Sequence, residues 1–219
     1  MYSGFLKRII EAVDGCYANN SKLYKYFSES ASLKEIVDYL YWDYQQPEFK
    51  GYLERWRDKA PQYIKSALEE HIKEEDGHGK LFSGMMKCLL GHCDANRNID
   101  YERLKLLNYT FSKECALKES FEFFCGGFFA TERMAAKRYG QLVLAFERLQ
   151  IPPEDYHFIR IHSNIEPAHS IDVLEQLVKP LTTGDQKQRD QILNGINDRT
   201  RRSEDFLRWY EKEKCKKGI

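Results

Sequence analysis

The sequence predicts an all-α protein, a single domain over residues 1–219 built as a bundle of seven or eight helices. Apolar residues recur at intervals of three and four over long stretches, which is the period of an amphipathic helix. The alternation of apolar and polar residues that is typical of a half-buried strand is missing. Only six prolines occur, at positions 47, 61, 152, 153, 167 and 180, and they leave long segments uninterrupted.

Capping signals mark the first helices. Ser32 and Glu35 form a capping-box pattern, in which each side chain accepts a hydrogen bond from the other's backbone N–H, and this predicts a helix over about 33–46. Pro61 suits the first turn of another helix, because its missing N–H costs nothing there, and that helix should reach about 74–75. Asp100 is a candidate N-cap for a helix that continues through Leu104, Leu107 and Phe111.

The second half of the chain predicts three longer helices. An apolar segment from Phe121 to Leu149 has its weak point at Gly126–Gly127, where a bend or a close helix crossing is expected. Asp155 should open a helix that reaches about Lys179, within which Pro167 either begins a new turn or kinks the helix. Asp185 should open the last helix, to about Lys214.

Composition excludes several classes of function. Lys and Arg total 34 and Asp and Glu total 34, so no net charge draws the chain to nucleic acid or to an anionic membrane. The six cysteines form no CxxC pair and indicate reduced thiols. The opening MYSGFLKRIIEAVDG has charges within its apolar stretch, and no run approaches the roughly 18 apolar residues of a membrane span. We therefore expect a cytoplasmic protein with neither nucleic acid nor membrane as a partner.

The segment IRIHSNIEPAHSIDVLE contains the most informative pattern. His162, Glu166 and His169 stand at i, i+4 and i+7, which places three ligand-type side chains on one stripe of a helix. The alternative is a polar helix face with two solvated histidines.

The segment LEEHIKEEDGHGKLF contains a second candidate pair. Glu75 and His78 form the Glu-x-x-His spacing that di-iron carboxylate proteins use. Glu74 reaches nearly the same face, and His71 also lies on it, so the identity of the carboxylate ligand stays open. Taken alone, the pair is better explained as surface charge.

The segment FEFFCGGFFATERMAAKRYG places Glu132 in an apolar helix. A buried carboxylate must be neutral, ion-paired or metal-bound, and Arg133 and Arg138 are the alternative partners. Together the three segments offer three histidines and three carboxylates, a nitrogen and oxygen ligand set that suits iron or manganese and lacks the thiolates of a structural zinc site.

These segments also carry a family resemblance. The chain resembles the heme-oxygenase-like diiron oxidases, which share their helical fold with thiaminase-II-like proteins and pyrroloquinoline-quinone synthase. The similarity covers most of the chain and is carried by EEDGHGKLF, ATERMAAKRYG and PPEDYHFIRIHSNIEPAHSIDVLE, with aromatic-rich opening segments LYKYF and YLYWDYQQPEFKGYL. Two departures are that Glu166 stands where many relatives carry Asp, and that the spacing between the first Glu and His varies in the family, which keeps Glu74 open.

The resemblance implies two iron ions as cofactor and dioxygen as co-substrate, with Glu75, His78, Glu132, His162, Glu166 and His169 as ligands. Members of the family carry out N-oxygenation, desaturation, decarboxylative olefin formation or C–C cleavage on amino acids or fatty acids, and the sequence does not choose among them. A small-molecule substrate is expected as a partner, and an electron donor and a homodimer are compatible with the sequence.

Several residues are candidates for the substrate pocket. An apolar wall needs a few placed polar groups to orient a substrate, and a basic side chain can bind a substrate carboxylate. The candidates are Phe124, Phe128, Tyr139, Phe158 and Ile159 for the wall, and Arg133, Lys137 or Arg160 for the carboxylate.

Two other functions compete with this hypothesis. The first is a metal-free thiaminase-II-like hydrolase or cofactor-independent oxidase on the same fold, with Cys125 or Cys115 as nucleophile; it leaves the His162, Glu166 and His169 stripe unexplained. The second is a non-enzymatic helical interaction protein, in which the 14 Tyr, 13 Phe and 3 Trp serve core and interface alone.

Overall fold

The computed structural model describes residues 4–19, 21–44, 49–93, 105 and 107–216, and every regular element in these ranges is helical. The all-α prediction is therefore confirmed. The helices are α1 (Gly4–Asn19), α2 (Ser21–Glu29), α3 (Leu33–Tyr44), α4 (Phe49–Arg57), α5 (Gln62–Glu74), α6 (His78–His92), α7 (Lys113–Lys118), α8 (Phe121–Arg148), α9 (His157–Asp172) and α10 (Gln186–Lys216).

The helix starts follow from local hydrogen bonds. Glu35 Oε2 accepts from the Ser32 backbone N–H at 2.8 Å, and Ser32 Oγ accepts from the Glu35 N–H at 3.3 Å, so the capping box before α3 is confirmed. Asp185 and Gln188 make the equivalent pair before α10. Pro61 immediately precedes α5 as its N-cap residue.

The segment before α8 differs from the prediction. Asp100 and Leu104 lie outside the described residues, and the predicted helix does not extend to Phe111. Tyr109–Phe111 is a 3₁₀ turn instead, and Ser112 then has extended backbone angles and caps α7 by accepting from the Cys115 N–H. Ser112 therefore ends the 3₁₀ turn and is also the N-cap residue of α7.

The glycines of α8 serve a close helix crossing. α8 is continuous through Gly126–Gly127, and a Cβ at Gly126 would lie 2.1 Å from the Ile192 carbonyl oxygen of α10. A Cβ at Gly195 of α10 would lie 1.9 Å from the Phe123 carbonyl oxygen. Of the two expected outcomes, the structure shows the close crossing.

α9 begins later than predicted and continues through its proline. Asp155 does not cap it: its carboxylate lies 2.9 Å from His92 Nε2, and Tyr156 takes the N-cap position. The helix passes through Pro167 and, after Asp172, widens into a π-helical turn at Val173–Val178. Such turns occur frequently at functional sites, and this one begins four residues beyond His169.

Two apolar clusters form the core of the described residues. The first includes Trp56 and Phe124, and the second includes Phe27 and Phe146. α8 contributes to both, and Glu132 lies on it between Phe128 of the first cluster and Leu142 of the second. Within the part of the chain that the structure describes, each helix is too short or too polar to cross a bilayer.

Candidate metal centre

Glu75 and His78 meet at the turn between α5 and α6. Glu75 is the C-cap residue of α5, and His78 is the first residue of α6. Gly77 between them has a φ of 91°, a left-handed conformation that favours glycine. The turn brings Glu75 Oε2 to 2.9 Å from His78 Nδ1. The pair therefore converges through a tight turn between two helices and not along one continuous helix.

His162 brings an imidazole from α9 to the same point. It is buried, and its Nδ1 lies 2.7 Å from the Phe158 carbonyl oxygen, which accepts the Nδ1 proton. Its Nε2 lies 3.5 Å from His78 Nδ1. The carbonyl contact fixes the tautomer and leaves Nε2 as an electron-pair donor toward the centre.

A second group of donors lies beside the first. Glu132 of α8 and Glu166 of α9 are both buried. His169 Nδ1 lies 3.9 Å from Glu132 Oε2 and 3.8 Å from Glu166 Oε2. One ligand atom from each of these three residues falls within 4.8 Å of the others. The six predicted ligands thus meet between α5, α6, α8 and α9.

The structure adds His71 of α5 to this centre. His71 is buried, and its Nε2 lies 3.9 Å from Glu75 Oε1. His71, Glu75 and His169 form a second group whose ligand atoms lie within 4.8 Å of one another. The signal was available in the sequence, because His71 precedes Glu75 by one helical turn. Glu74 is about half exposed and approaches only the outer nitrogen of His71, with Oε2 3.5 Å from Nδ1, so Glu75 is the carboxylate that faces the centre.

The environment keeps two histidines neutral. Burial lowers the pKa of His71 and of His162 to about 4, so both imidazoles are unprotonated near neutral pH. The hydrogen bond with Glu75 raises the pKa of His78. Burial acts to raise the pKa of Glu75, but the hydrogen bond and charge of His78 outweigh it and hold that pKa below its usual value.

The pKa values of two other carboxyl groups of the centre, Glu132 and Glu166, are raised. Burial and the negative charge of Glu166 raise the pKa of Glu132 well above its usual value. Burial also raises the pKa of Glu166. Both carboxyl groups approach His169 Nδ1 within 3.9 Å. To bury two ionised carboxylates in so small a space is costly unless a cation compensates their charge.

The residues present fit a metal. Three buried atoms at this one place, His71 Nε2, Glu166 Oε2 and His169 Nδ1, have no hydrogen-bond partner among the described residues. Each unsatisfied buried group costs about 1–3 kcal/mol, and a cation at the centre would satisfy all three. Four imidazoles and three carboxylates make a nitrogen and oxygen donor set suited to iron or manganese.

A cavity of about 490 Å³ opens onto one side of the centre. Tyr139 and Phe158 line it, as expected from the sequence, together with Glu75, His78, Glu132, His162 and Glu166. The placement of Phe128 and Arg160 in the pocket is corrected. Phe128 is fully buried in the first apolar cluster, stacked on Phe124, and Arg160 is exposed, with its guanidinium beside His157.

The basic groups on the cavity wall also differ from those expected. Arg133 and Lys137 both bind the carboxylate of Asp14, at 2.8 and 2.7 Å, away from the cavity. The basic residues that line the cavity are Lys50, Lys80, Arg138 and Arg199. Arg138 shares one face of α8 with Glu132, Ala135 and Tyr139, and this spacing of three and four could have identified it.

The two candidate cysteines, Cys115 and Cys125, give no support to a metal-free nucleophile. Cys115 and Cys125 are fully buried in the first apolar cluster and do not line the cavity. Burial raises the pKa of Cys115 to about 12 and that of Cys125 well above its usual value. Since the thiolate is the nucleophilic form, neither residue is activated.

The described residues thus form a helical bundle with a buried histidine and carboxylate centre beside a cavity, which is a candidate metal site. Residues 47–203 match the family described as iron-containing redox enzyme, and the chain belongs to that family. All seven histidine and glutamate donors fall within the matched residues. The family resemblance seen in the sequence is therefore confirmed, and iron is the metal that the family indicates.

A solved structure shows the same fold. The chain is similar to a domain of unknown function with a heme oxygenase-like fold from Shewanella denitrificans OS217, with a TM-score of 0.71 and 15% sequence identity. The similarity covers 95% of this chain and 91% of that one, so the heme-oxygenase-like fold is shown. A search of curated proteins finds no match.

Proposed function

We propose that this protein is a non-heme diiron oxidase or oxygenase that uses dioxygen to oxidise a small substrate bearing a carboxylate. The observation that carries the proposal is the convergence of four of the six histidines with three glutamates. Three buried ligand atoms of this set have no hydrogen-bond partner within the described part of the chain. The other two histidines, His92 and His157, are exposed. The resemblance to diiron oxidases supports a metal pair in particular.

The donors divide naturally into two ligand groups. Imidazole nitrogens lie about 2.0–2.1 Å from a divalent ion such as zinc, so two ligand atoms on one ion of that size are roughly 3 to 4 Å apart. His78 Nδ1 lies 2.9 Å from Glu75 Oε2 and 3.5 Å from His162 Nε2, and each of these two separations is compatible with one ion. Glu132, Glu166 and His169 suit a second.

Two ferrous ions bound there can each supply an electron to dioxygen, and the protein supplies position and surroundings. Glu132 and Glu166 bring negative charge that offsets the ions and that would otherwise be costly to bury. The Phe158 carbonyl holds the proton on His162 Nδ1, so that Nε2 remains available. Phe158 and Tyr139 place aromatic rings beside His162 on the cavity side, with centroids 3.8 and 5.8 Å from that of the imidazole.

The cavity suits a small amphipathic acid. Its volume of about 490 Å³ falls in the usual range for small-molecule sites, about 300–1,000 Å³. Arg138 lines it on the same face of α8 as Glu132, and its guanidinium hydrogen bonds to the Tyr139 hydroxyl at 3.3 Å. We assign Arg138 to the substrate carboxylate, with Tyr139 and Phe158 beside the remainder of the substrate.

Iron titration tests the proposal. Anaerobic Fe(II) should bind at close to two ions per chain, and His169→Ala should hold clearly less. His92→Ala is the matched control, because its imidazole is exposed and paired with Asp155, and it should bind as the wild type does. Wild-type protein that binds no iron above background contradicts the proposal.

A further inference from the structure

We propose that His71 is a seventh protein ligand, a fourth imidazole that binds the iron shared with Glu132, Glu166 and His169. The inference rests on the proposed diiron function and goes beyond the six ligands that the resemblance implies. It also gives the two metal sites different numbers of protein ligands, which bears on the ion that substrate would approach.

The two nitrogens of His71 face different surroundings. Nε2 points into the centre, 3.9 Å from Glu75 Oε1, and the ring centroid lies 5.2 Å from that of His169. Ligand atoms of His71, Glu75 and His169 lie within 4.8 Å of one another. One cation can therefore contact His71 and His169 together.

Glu74 supports this orientation from outside. Its Oε2 lies 3.5 Å from His71 Nδ1. A metal-bound histidine commonly donates its other ring N–H to a carboxylate or a carbonyl, which fixes the tautomer and raises the basicity of the ligating nitrogen. Glu74 therefore lies on the side of His71 where such a carboxylate would be, although its contact is longer than the 2.7 Å hydrogen bond of His162 with the Phe158 carbonyl.

An ordinary structural histidine would not leave Nε2 unsatisfied. Buried polar side-chain atoms nearly always have a hydrogen-bond partner, whereas this atom has none among the described residues. The distance of 3.9 Å to Glu75 is too long for a hydrogen bond. The ring is held by packing instead, edge-on to Phe128 at 4.9 Å between centroids.

The added ligand makes the pair asymmetric. The inner iron would have His71, Glu132, Glu166 and His169, and the outer iron would have His78 and His162. Glu75, which is close to both His71 and His78, would lie beside either ion. The cavity lining includes Glu75, His78 and His162, and also Glu132 and Glu166, but neither His71 nor His169. The outer iron would therefore have fewer protein ligands and more coordination positions open to substrate.

The test counts metal-bound imidazoles directly. In protein loaded with two Co(II) ions, each ligating histidine gives a hyperfine-shifted ring N–H signal in the proton NMR spectrum. His71→Gln, which keeps size and polarity, should lose one such signal relative to wild type, and its affinity for the second Fe(II) should fall about tenfold or more. His92→Gln, the matched control, should keep every shifted signal and both affinities.

The outcomes separate this inference from the function. A His71→Gln protein that binds only one metal also supports a ligand role, provided that its circular dichroism matches wild type. If His71→Gln does not fold, free imidazole added to His71→Ala should restore the lost affinity, and failure to restore it overturns the inference. A folded His71→Gln protein with two metals, wild-type affinity and the full set of shifted signals overturns the role of His71 alone. A wild-type protein that cannot bind two metals overturns the diiron proposal and this inference with it.

Discussion

His162 Nε2 lies 3.5 Å from His78 Nδ1, although 84 residues separate the two along the chain. His162 comes from the middle of α9, and His78 opens α6 after the Gly77 turn. Two imidazoles at that distance repel each other when both are protonated, and burial already lowers the pKa of His162 to about 4. Their approach is explained if one divalent cation accepts an electron pair from each.

Glu132 gives a prediction that separates binding from folding. Glu132→Ala should keep the fold, with thermal stability of the metal-free protein equal to or above wild type, because the cost of burying the carboxylate disappears with it. Iron binding should fall by about one ion per chain. Iron analysis and thermal unfolding measure the two effects, and Glu147→Ala, which removes an exposed carboxylate from the same helix, is the control. A folded Glu132→Ala protein with two irons and wild-type oxygen uptake would show that Glu132 is structural.

The close crossing of α8 and α10 predicts that replacing a glycine by alanine changes stability in opposite directions at the crossing and away from it. Gly195→Ala should destabilise the protein by about 1–3 kcal/mol or more, because the new Cβ meets the Phe123 backbone at 1.9 Å. Gly140→Ala in α8 meets nothing within 4 Å and should stabilise by up to about 1 kcal/mol through helix propensity. Denaturant unfolding of both variants tests this, and equal effects would contradict the crossing geometry.

The local part of the site could be predicted from sequence, and the tertiary part could not. His162, Glu166 and His169 share a stripe because helical periodicity alone fixes their relative positions. The sequence places His71 on the face of Glu75, but its role depends on the approach of α9 to α5, which no local pattern encodes. Phe128 is a pocket candidate in the sequence because α8 is strongly apolar around it, and periodicity does not tell which apolar side of a helix faces the cavity.

A long-range contact also determines which basic residue of α8 lies at the cavity. Arg133, Lys137 and Arg138 are nearly equivalent in sequence, yet Asp14, more than a hundred residues earlier, binds the first two. Arg138 lies on the adjacent face of the helix and remains at the cavity. A carboxylate on α1 thus holds Arg133 and Lys137 away from the cavity, which Arg138 lines.

The ion pairs of Asp14 predict a dependence of stability on pH. Burial acts to raise the pKa of Asp14, but the hydrogen bonds and charges of Arg133 and Lys137 outweigh it and lower that pKa below 3.8. A lowered folded-state pKa contributes stability above the unfolded-state pKa, and this contribution is lost as the pH falls through the folded-state value. Asp14→Asn should therefore be less stable than wild type at pH 7, by about 1 kcal/mol or less since the pair is partly exposed. Urea unfolding should show that the gap shrinks at pH 3; a gap that stays constant would contradict the assignment.

Arg138 predicts the chemical class of the ligand. In the iron-loaded protein, amino acids or fatty acids that bind should bind more tightly than their primary amides, because a charge-assisted hydrogen bond contributes about 1.5–3 kcal/mol. Arg138→Gln should weaken binding of the acids roughly ten- to a hundredfold and leave binding of the amides nearly unchanged. Isothermal titration of matched acid and amide pairs measures this difference.

Arg133→Gln is the control, since the guanidinium of Arg133 binds Asp14, and the variant should retain the preference for acids. If Arg138→Gln keeps that preference as fully as Arg133→Gln does, the carboxylate does not bind at Arg138, and Lys50, Lys80 and Arg199 are the remaining basic residues on the described cavity wall.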